Sequence, residues 1–310
     1  MQEVTKRKTR KQVNPENLLK ISECVYAERN PSADRSIDIY VQIEKIDQSV
    51  PLLWASDLHV DSRDSDLEAI RRHFEEVRRR SGAILLGGDV FDAMQGRQDP
   101  RHSKSQIRPE LLRDDYFDIL VPWAIETLNL RNVPILAVMP GNHEASVLKK
   151  NETDLSGRLA RELGCLRAAY TQFYRLFVMD ARGTVKDRRF IIYATHGSGV
   201  NAPVTMGIIK TNRRQVAAEA DIYLSGHLHQ AWVAAQSIEY IKPNGAVGRR
   251  TVWHGQAGGY MKASLQGSGF YSQQEIKPSL CGAICVEIFL ERRRNNKAYE
   301  PEVRLTIWPA

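Results

Sequence analysis

Short apolar runs alternate with amphipathic segments over the first half of the chain. Runs of strand length cover 50–57, 83–88 and 133–140, and the segment 66–80 carries Leu67, Ile70, Phe74 and Val77 at helical spacing. Short continuous apolar runs are typical of buried strands, whereas a spacing of three and four residues indicates an amphipathic helix. Alternating strands and helices predict a sheet that contains parallel pairs.

The second half is richer in strand-like segments. They cover 172–180, 189–196, 221–227, 231–241, 249–255, 280–290 and 303–308, in addition to an earlier one at 36–43. Further helices are predicted at about 110–130, 155–163 and 207–220. The later run of strands predicts a second, more antiparallel sheet packed on the first. The expected fold class is therefore α/β, a two-sheet β-sandwich flanked by helices.

The N-terminal residues differ in composition from the remainder. Residues 1–35 are polar and interrupted by Pro15 and Pro31, so we expect a basic, flexible arm with one short helix at 16–27. Residues 36–310 show no convincing linker after residue 50 and are expected to form one domain. His73, in a segment rich in charges, is expected to be solvated.

Charge and cysteines restrict the class of protein. The 310 residues have a formal net charge of +7, and five Lys/Arg against Glu3 place +4 of it in residues 1–11. Such a tail could contact a polyanion, although a solvated terminus is the interpretation we favour. The four cysteines form no CxxC pair, and no run reaches the roughly 18 apolar residues of a membrane helix. A soluble, cytoplasmic protein is expected.

Five polar clusters follow the predicted strands. In open α/β sheets, ligands bind beyond the carboxyl ends of the strands. The side chains of the clusters offer oxygen and nitrogen ligands but no thiolate, a set that suits Mn, Fe, Zn, Ni or Mg. Each cluster alone could be an ordinary turn, but together they predict a two-metal site. The clusters are Asp57-Leu58-His59, Gly88-Asp89, Gly141-Asn142-His143-Glu144, His196-Gly197 and Gly226-His227-Leu228-His229.

This ordered set resembles the calcineurin-like metallophosphoesterase superfamily, in a compact form similar to phage or prophage enzymes or to DNA exonucleases. The resemblance spans residues 57–229 and implies a four-layer αββα fold, with 36–310 as the catalytic domain. It also implies two divalent metal ions, Mn first, that activate a water for attack on phosphorus. The implied ligands are Asp57, His59 and His229 for the first metal, Asp89 as the bridge, and Asn142, His196 and His227 for the second.

The resemblance also implies roles around the metals. His143 would be the acid that protonates the leaving oxygen or steadies the transition state, and Asp89 would take part in catalysis as the bridging ligand. From its place next to His143, Glu144 is expected to hold a loop or to touch the metal shell. Asp61, Asp64 and Asp92 are near the clusters in sequence and are expected to support or cap the site and not to bind the metals. Candidate substrate contacts are Arg63, Arg97 and His254.

Sequence differences from related enzymes reduce the range of possible substrates. Ser/Thr protein phosphatases carry Arg before the third cluster, where this chain has Pro140, so a phosphoprotein is disfavoured. Gly88-Asp89-Val90-Phe91-Asp92 is close to the second block of DNA-repair exonucleases, but no capping domain like theirs is evident. We expect a phosphodiesterase or nuclease acting on DNA. The alternatives are a phosphodiesterase or phosphatase for cyclic nucleotides or small molecules, and a non-catalytic scaffold, which the complete ligand set disfavours.

Overall fold

The computed structural model describes residues 11–30, 33–93, 104–199, 207–262, 280–292 and 299–310. Five α-helices lie in these ranges: α1 (Leu67–Arg79), α2 (Tyr116–Leu128), α3 (Asn142–Asn151), α4 (Leu155–Leu163) and α5 (Ile208–Ala217). The strands in the described ranges are β1 (Leu19–Lys20), β2 (Val25–Arg29), β3 (Ser36–Gln42), β4 (Ser49–Ala55), β5 (Ala83–Leu86), β6 (Ile135–Val138), β7 (Leu166–Arg167), β8 (Thr171–Met179), β9 (Val185–Thr195), β10 (Ile222–Ser225), β11 (Trp232–Ile241), β12 (Val247–Gln256), β13 (Gly282–Arg292) and β14 (Tyr299–Pro309).

The strands form two mixed sheets. In the described residues, one sheet has eight strands in the order β1-β2-β3-β8-β9-β10-β12-β11, and the other has six in the order β14-β13-β4-β5-β6-β7. Strands β4 to β7 run parallel, as do β9, β10 and β12. The antiparallel pair β13–β14 extends the six-stranded sheet beyond β4. The predicted α/β sandwich is confirmed.

The six-stranded sheet is buried on both faces, which explains its continuous apolar runs. In β4, Leu52 and Trp54 pack between the two sheets, while Leu53 and Ala55 pack towards α1, α2 and α4. Parallel strands covered on both faces read as unbroken apolar segments. Trp54 Nε1 also donates to Ser225 O at 3.0 Å, which joins the two sheets near the ends of β4 and β10.

Most predicted elements are present, and helix α1 shows why. Asp66 caps it by accepting a hydrogen bond from Ala69 N at 3.1 Å, and Ile70, Phe74 and Val77 form its buried face. A side-chain cap at the first turn satisfies a backbone donor that has no partner within the helix. The helix predicted from residue 110 begins later, at Tyr116, after a 3₁₀ turn at Pro109–Leu111.

The helix predicted at 16–27 is wrong. A 3₁₀ turn covers Pro15–Asn17, and β2 pairs antiparallel with β3. Val25 and Ala27 are buried while Tyr26 and Glu28 alternate with them, which is the period of a strand and not of a helix. Residues 19–20 and 25–29 of the expected arm therefore belong to the eight-stranded sheet, and residues 1–10 lie outside the described residues.

His73 is buried and not solvated as expected. Its ring lies between α1 and the C-terminal strand, with Nδ1 2.9 Å from Tyr260 Oη and Nε2 3.0 Å from Pro309 O. Since a carbonyl only accepts, Nε2–H is the donor and Nδ1 accepts from the tyrosine hydroxyl. No helix in the described ranges has the length and apolar character needed to cross a membrane.

Candidate metal centre

The five polar clusters meet where strands of both sheets end. Within the six-stranded sheet, Asp57 N donates to Gly88 O at 3.0 Å. Within the eight-stranded sheet, Gly226 N donates to His196 O at 2.9 Å. His227 N donates to Asp57 Oδ2 at 2.8 Å and so connects the two sheets. The predicted convergence of the strand ends is observed.

Asp57, His59 and His229 form the first cluster, with ligand atoms within 4.8 Å of one another. The Nε2 atoms of His59 and His229 are 3.3 Å apart, and His229 Nε2 lies 3.3 Å from Asp57 Oδ1. Asp57 Oδ1 is buried and has no hydrogen-bond partner, whereas Oδ2 accepts from Ser56 Oγ at 2.6 Å. One carboxylate oxygen and two imidazole nitrogens thus converge.

Asp89, His196 and His227 form the second cluster, again with ligand atoms within 4.8 Å. His196 Nε2 lies 3.1 Å from Asp89 Oδ2 and 3.0 Å from Asn142 Oδ1. It also lies 4.0 Å from Asp57 Oδ1 of the first cluster. The two clusters are therefore adjacent, and the seven predicted ligands are gathered around them.

Contacts behind the rings orient the histidines. His196 Nδ1 donates to Gly87 O at 3.0 Å, so in the neutral ring Nε2 carries the lone pair and faces Asp89. His227 Nε2 donates to Gly199 O at 2.9 Å, which leaves Nδ1 as the atom with a lone pair. Histidines that bind metals characteristically donate their other ring N–H in this way.

Asp92 is a site residue that sequence reasoning placed only in a supporting role. Its Oδ1 lies 3.2 Å from His59 Nδ1 and 3.3 Å from His143 Nδ1. The three side chains also form a cluster of possible ligand atoms. His143 Nε2 lies 3.7 Å from Asp89 Oδ2, so this histidine connects Asp92 to the predicted bridging carboxylate.

Two buried carboxylates hold the loops of the site. Glu144 accepts hydrogen bonds from the backbone N–H groups of Asp89, Phe91 and Gly141 at 2.8–3.0 Å, so it supports the loops and does not face the metal clusters. Asp61 accepts from the N–H groups of residues 92 and 93 at 2.6 and 2.9 Å, and from the Tyr116 hydroxyl. Burial raises the pKa of both carboxyl groups.

Five of the seven predicted ligands have a positive backbone φ. Positive φ is uncommon for residues other than glycine and costs about 1–3 kcal/mol in sparsely populated regions. Such strain persists only where the surrounding structure fixes it, and it concentrates at functional sites. The residues concerned are Asp57 (φ 58°), His59 (45°), Asp89 (49°), His227 (71°) and His229 (51°).

Charges in the site shift the pKa values of its members. Burial disfavours ionised Asp57 and Asp89, but the nearby histidines outweigh it and lower the pKa of both carboxyl groups. Burial likewise opposes protonation of His59 and His196, but Asp92 raises the pKa of the first to about 9, and Asp89 and Asp57 raise that of the second to about 10. The carboxylates therefore stay ionised, and cations would compete with protons for the imidazoles.

The donor set fits divalent cations. Asp57 Oδ1 is buried without a hydrogen bond, and two imidazole nitrogens face one another at 3.3 Å. A cation between these atoms would satisfy all of them. Within the two clusters the donors are carboxylate oxygens and imidazoles, with the Asn142 amide oxygen beside them. This chemistry suits a catalytic divalent ion better than a thiolate-bound structural zinc.

Two of the three predicted substrate contacts, Arg63 and His254, lie in the described residues. Arg63 is exposed, and its Nε donates to Ile107 O at 2.8 Å. Arg97 lies outside the described residues. His254 is buried in β12, stacked on Tyr223, and does not line the metal clusters. Ser56, which bonds Asp57, was missed, although its position directly before the first acidic cluster could have indicated it.

The sequence profile of the calcineurin-like phosphoesterases matches residues 50–231. The chain belongs to this family. The matched range contains all five polar clusters and every strand end that carries them. Together with the buried His/Asp clusters, the family identifies the protein as a hydrolase of phosphoesters with candidate metal sites. No curated protein sequence matches the chain.

Similar solved structures cover most of the chain at low identity. A conserved uncharacterized protein of Streptococcus pneumoniae, described as a predicted phosphoesterase, is 14% identical, with a TM-score of 0.30, over 83% of this chain and 98% of its own. Vps29 of Chaetomium thermophilum is 9% identical, with a TM-score of 0.31, over 84% and 98%. GAP50 of Plasmodium is 13% identical, with a TM-score of 0.31, over 84% and 89%. The family assignment rests on the profile.

Proposed function

We propose that the protein is a metal-dependent phosphodiesterase that holds two divalent ions, Mn²⁺ first among them. The observation that carries the proposal is the adjacency of two Asp/His clusters, with His196 Nε2 3.1 Å from Asp89 Oδ2 and 4.0 Å from Asp57 Oδ1. Asp57, His59 and His229 would hold one ion, and Asn142, His196 and His227 the other. Asp89 would bridge them.

Bound divalent ions would supply neutralisation of the phosphate oxygens and a water of lowered pKa. The chain's own residues supply orientation and proton transfer. His143 donates Nδ1–H to the carbonyl of Asp92 at 2.6 Å, which leaves Nε2 on the side of Asp89. In the protonated state, this Nε2–H would be placed to donate a proton to the leaving oxygen.

A DNA phosphodiester is the substrate class that we put first. The support is the second block, Gly88–Asp92, together with Pro140 at the position where phosphoprotein phosphatases carry Arg. The metal chemistry is the same for small diesters, cyclic nucleotides and monoesters, so a direct comparison of substrates is needed to identify the preferred class.

The test is a substrate panel with chelator-treated protein, before and after addition of Mn²⁺. The panel is bis-p-nitrophenyl phosphate, p-nitrophenyl phosphate, cyclic AMP, and single- and double-stranded DNA. We expect metal-dependent turnover, with diesters hydrolysed faster than the monoester. A higher kcat/KM for p-nitrophenyl phosphate would replace the diesterase proposal with a phosphatase. No turnover with Mn, Fe, Zn, Ni or Mg would overturn it.

A matched pair of variants links activity to the site. Asp89→Ala should lose bound metal and turnover together, because it removes the carboxylate predicted to bridge the ions. Asp114→Ala removes an exposed carboxylate and should retain both. Metal content by mass spectrometry and kcat with bis-p-nitrophenyl phosphate are the two readouts.

A further inference from the structure

A second group of polar side chains lies outside the metal clusters, on the outer face of the eight-stranded sheet. Strands β10 and β12 pair in parallel, with Tyr223 opposite His254 and Ser225 opposite Gln256. Leu224 packs in the core between the sheets. Because successive side chains of a strand point to opposite faces, Tyr223 and Ser225 point away from that core, together with their partners on β12.

Several polar atoms on this face have no partner. Ser225 Oγ, Gln256 Oε1 and both ring nitrogens of His254 are buried and make no hydrogen bond. Each of the three residues is only 1% exposed. Buried polar atoms are nearly always bonded, and leaving one unpaired costs about 1–3 kcal/mol. Their clustering on two paired strands indicates that a bound group supplies the missing partners.

Arg214, on α5, brings a positive charge to the same region. Its Nη2 lies 3.6 Å from the position that a Cβ on Gly197 would occupy. Gly197 directly follows His196 in the sequence. In the described part of the chain, its guanidinium has no ion pair with a carboxylate. Burial lowers its pKa, and only Tyr193 opposes this effect. An unpaired, partly buried cation is costly, and an anion would offset that cost.

His254 is held in place to act as a hydrogen-bonding group. Its ring stacks on Tyr223, with centroids 5.0 Å apart and planes at 14°. The Tyr223 hydroxyl is itself fixed, since it donates to Ala218 O at 2.5 Å and accepts from Ala220 N at 3.1 Å. Burial and then the charge of Arg214 lower the pKa of His254 to about 4. At neutral pH its ring therefore offers one N–H donor and one acceptor.

We propose that Arg214, Ser225, His254 and Gln256 form a subsite, the α5 pocket, that binds a second anionic group of the phosphoester substrate. This group is a phosphate or carboxylate distinct from the scissile phosphate. The guanidinium, the serine hydroxyl and the imidazole N–H are its donors, and Gln256 Oε1 accepts from a hydroxyl next to the charge. The inference rests on the proposed function, because Arg214 lies beside Gly197, which follows His196 in sequence and lies next to His227.

Binding is tested on the chelator-treated full chain, in which no metal can hold the probe. Isothermal titration with inorganic phosphate should show one site in the wild type. Arg214→Gln should weaken it about tenfold or more, the range expected for one charge-assisted hydrogen bond, and Arg214→Lys should recover part of the loss. Arg213→Gln, an exposed neighbour on the same helix, is the matched control and should bind like the wild type.

A succinate titration distinguishes the two kinds of anion. Binding of succinate without phosphate would assign a carboxylate to the pocket. The proposal is overturned if the wild type binds neither anion, or if Arg214→Gln binds as tightly as Arg213→Gln. Equal thermal unfolding of the two variants would show that a loss of binding does not come from loss of the fold.

Kinetics on the metal-loaded protein test whether the pocket serves the substrate. The dinucleotides TpT and pTpT share the scissile diester and differ by one 5′-phosphate. The ratio of kcat/KM for pTpT to that for TpT should fall about tenfold in Arg214→Gln and stay at the wild-type value in Arg213→Gln. An unchanged ratio would remove the pocket from substrate recognition. If no substrate is hydrolysed while phosphate still binds through Arg214, the proposed function fails and the binding site stands.

Discussion

Asp92 Oδ1 lies 3.3 Å from Nδ1 of His143, and the backbone carbonyl of Asp92 accepts a hydrogen bond from the same nitrogen at 2.6 Å. The imidazole is therefore fixed on one side by a single residue. Its other nitrogen, Nε2, is 3.7 Å from Asp89 Oδ2. The ligand assignment gives His143 no metal to bind, so its role is expected to be proton transfer.

His143→Gln tests this role. The variant should retain metal, because the two ligand clusters do not need the imidazole, and kcat should fall roughly 10²–10⁴-fold, the usual contribution of a general acid. The loss should be smaller for a substrate whose leaving group needs no proton, such as a p-nitrophenyl diester, than for TpT. Loss of metal from His143→Gln would instead make this residue a ligand.

Asp92→Asn is expected to act through both histidines that it contacts. The amide keeps the size of the side chain but removes the charge next to His59 Nδ1 and His143 Nδ1. Loss of such an outer partner typically costs about 10–100-fold in metal affinity or activity. Metal titration and kcat for bis-p-nitrophenyl phosphate are the measurements. Asp118→Asn, at an exposed carboxylate, is the control, and equal behaviour of the two variants would contradict the role of Asp92.

The positions of β4, β5 and β6 along the chain and the chemistry at their ends were predictable, because both depend on local patterns. Apolar runs buried on two faces give β4, β5 and β6, and the residues that follow them can only lie at the carboxyl edge of the sheet. The same reasoning did not give α3. Asn142, His143 and Glu144 resemble a loop but form the first turn of α3, where Glu144 accepts hydrogen bonds from the backbone of residues 89 and 91, far away in sequence.

Other features depended on contacts that no local pattern contains. His73 is buried because Tyr260 and Pro309, 187 and 236 residues further along the chain, provide its hydrogen-bond partners. Its segment is charged on the exposed side, which favoured the wrong expectation. Arg214 is a comparable case, since only packing of α5 on the sheet brings it beside Gly197.

Gly141→Ala tests how tightly the ends of β5 and β6 are packed. The φ of Gly141 is −100°, which any residue adopts, so the effect of the substitution is steric. A Cβ there would lie 2.0 Å from Asp89 Oδ1 and 2.2 Å from Asp89 N. Asp89 must move, and we expect metal content and kcat to fall by at least tenfold.

The control for this substitution is Gly245→Ala, where a Cβ would meet nothing within 4 Å. Its positive φ costs about 1 kcal/mol, so this variant loses some stability but should retain its metal. Wild-type metal content in Gly141→Ala would show that Asp89 is not held at the predicted bridging position. Thermal unfolding of both variants separates a general loss of stability from a local effect.

The buried His73 should make stability depend on pH. Burial lowers its pKa to about 4, and Arg72 adds to this effect while Pro309 O and Asp66 oppose it. The unfolded chain, with a histidine pKa near 6.5, binds a proton between about pH 6.5 and 4 that the folded chain does not. The stability contributed by neutral His73 should therefore be fully present above about pH 6.5. The free energy of unfolding should then fall as the pH is lowered through this window, by about 1.4 kcal/mol for each pH unit.

His73→Gln removes the titrating group and keeps a side chain that can hydrogen-bond to Tyr260 and Pro309. Urea unfolding at pH 7.5, 6.0 and 4.5 should give a smaller loss of unfolding free energy in His73→Gln than in the wild type, by on the order of 2–3 kcal/mol across the window. Arg71→Gln, on the exposed side of the same helix, should keep the wild-type slope, because arginine does not titrate in this range and Arg71 bonds the carbonyl of Thr127. Parallel slopes for the wild type and His73→Gln would mean that His73 is protonated in the folded protein, with Tyr260 Oη accepting from it.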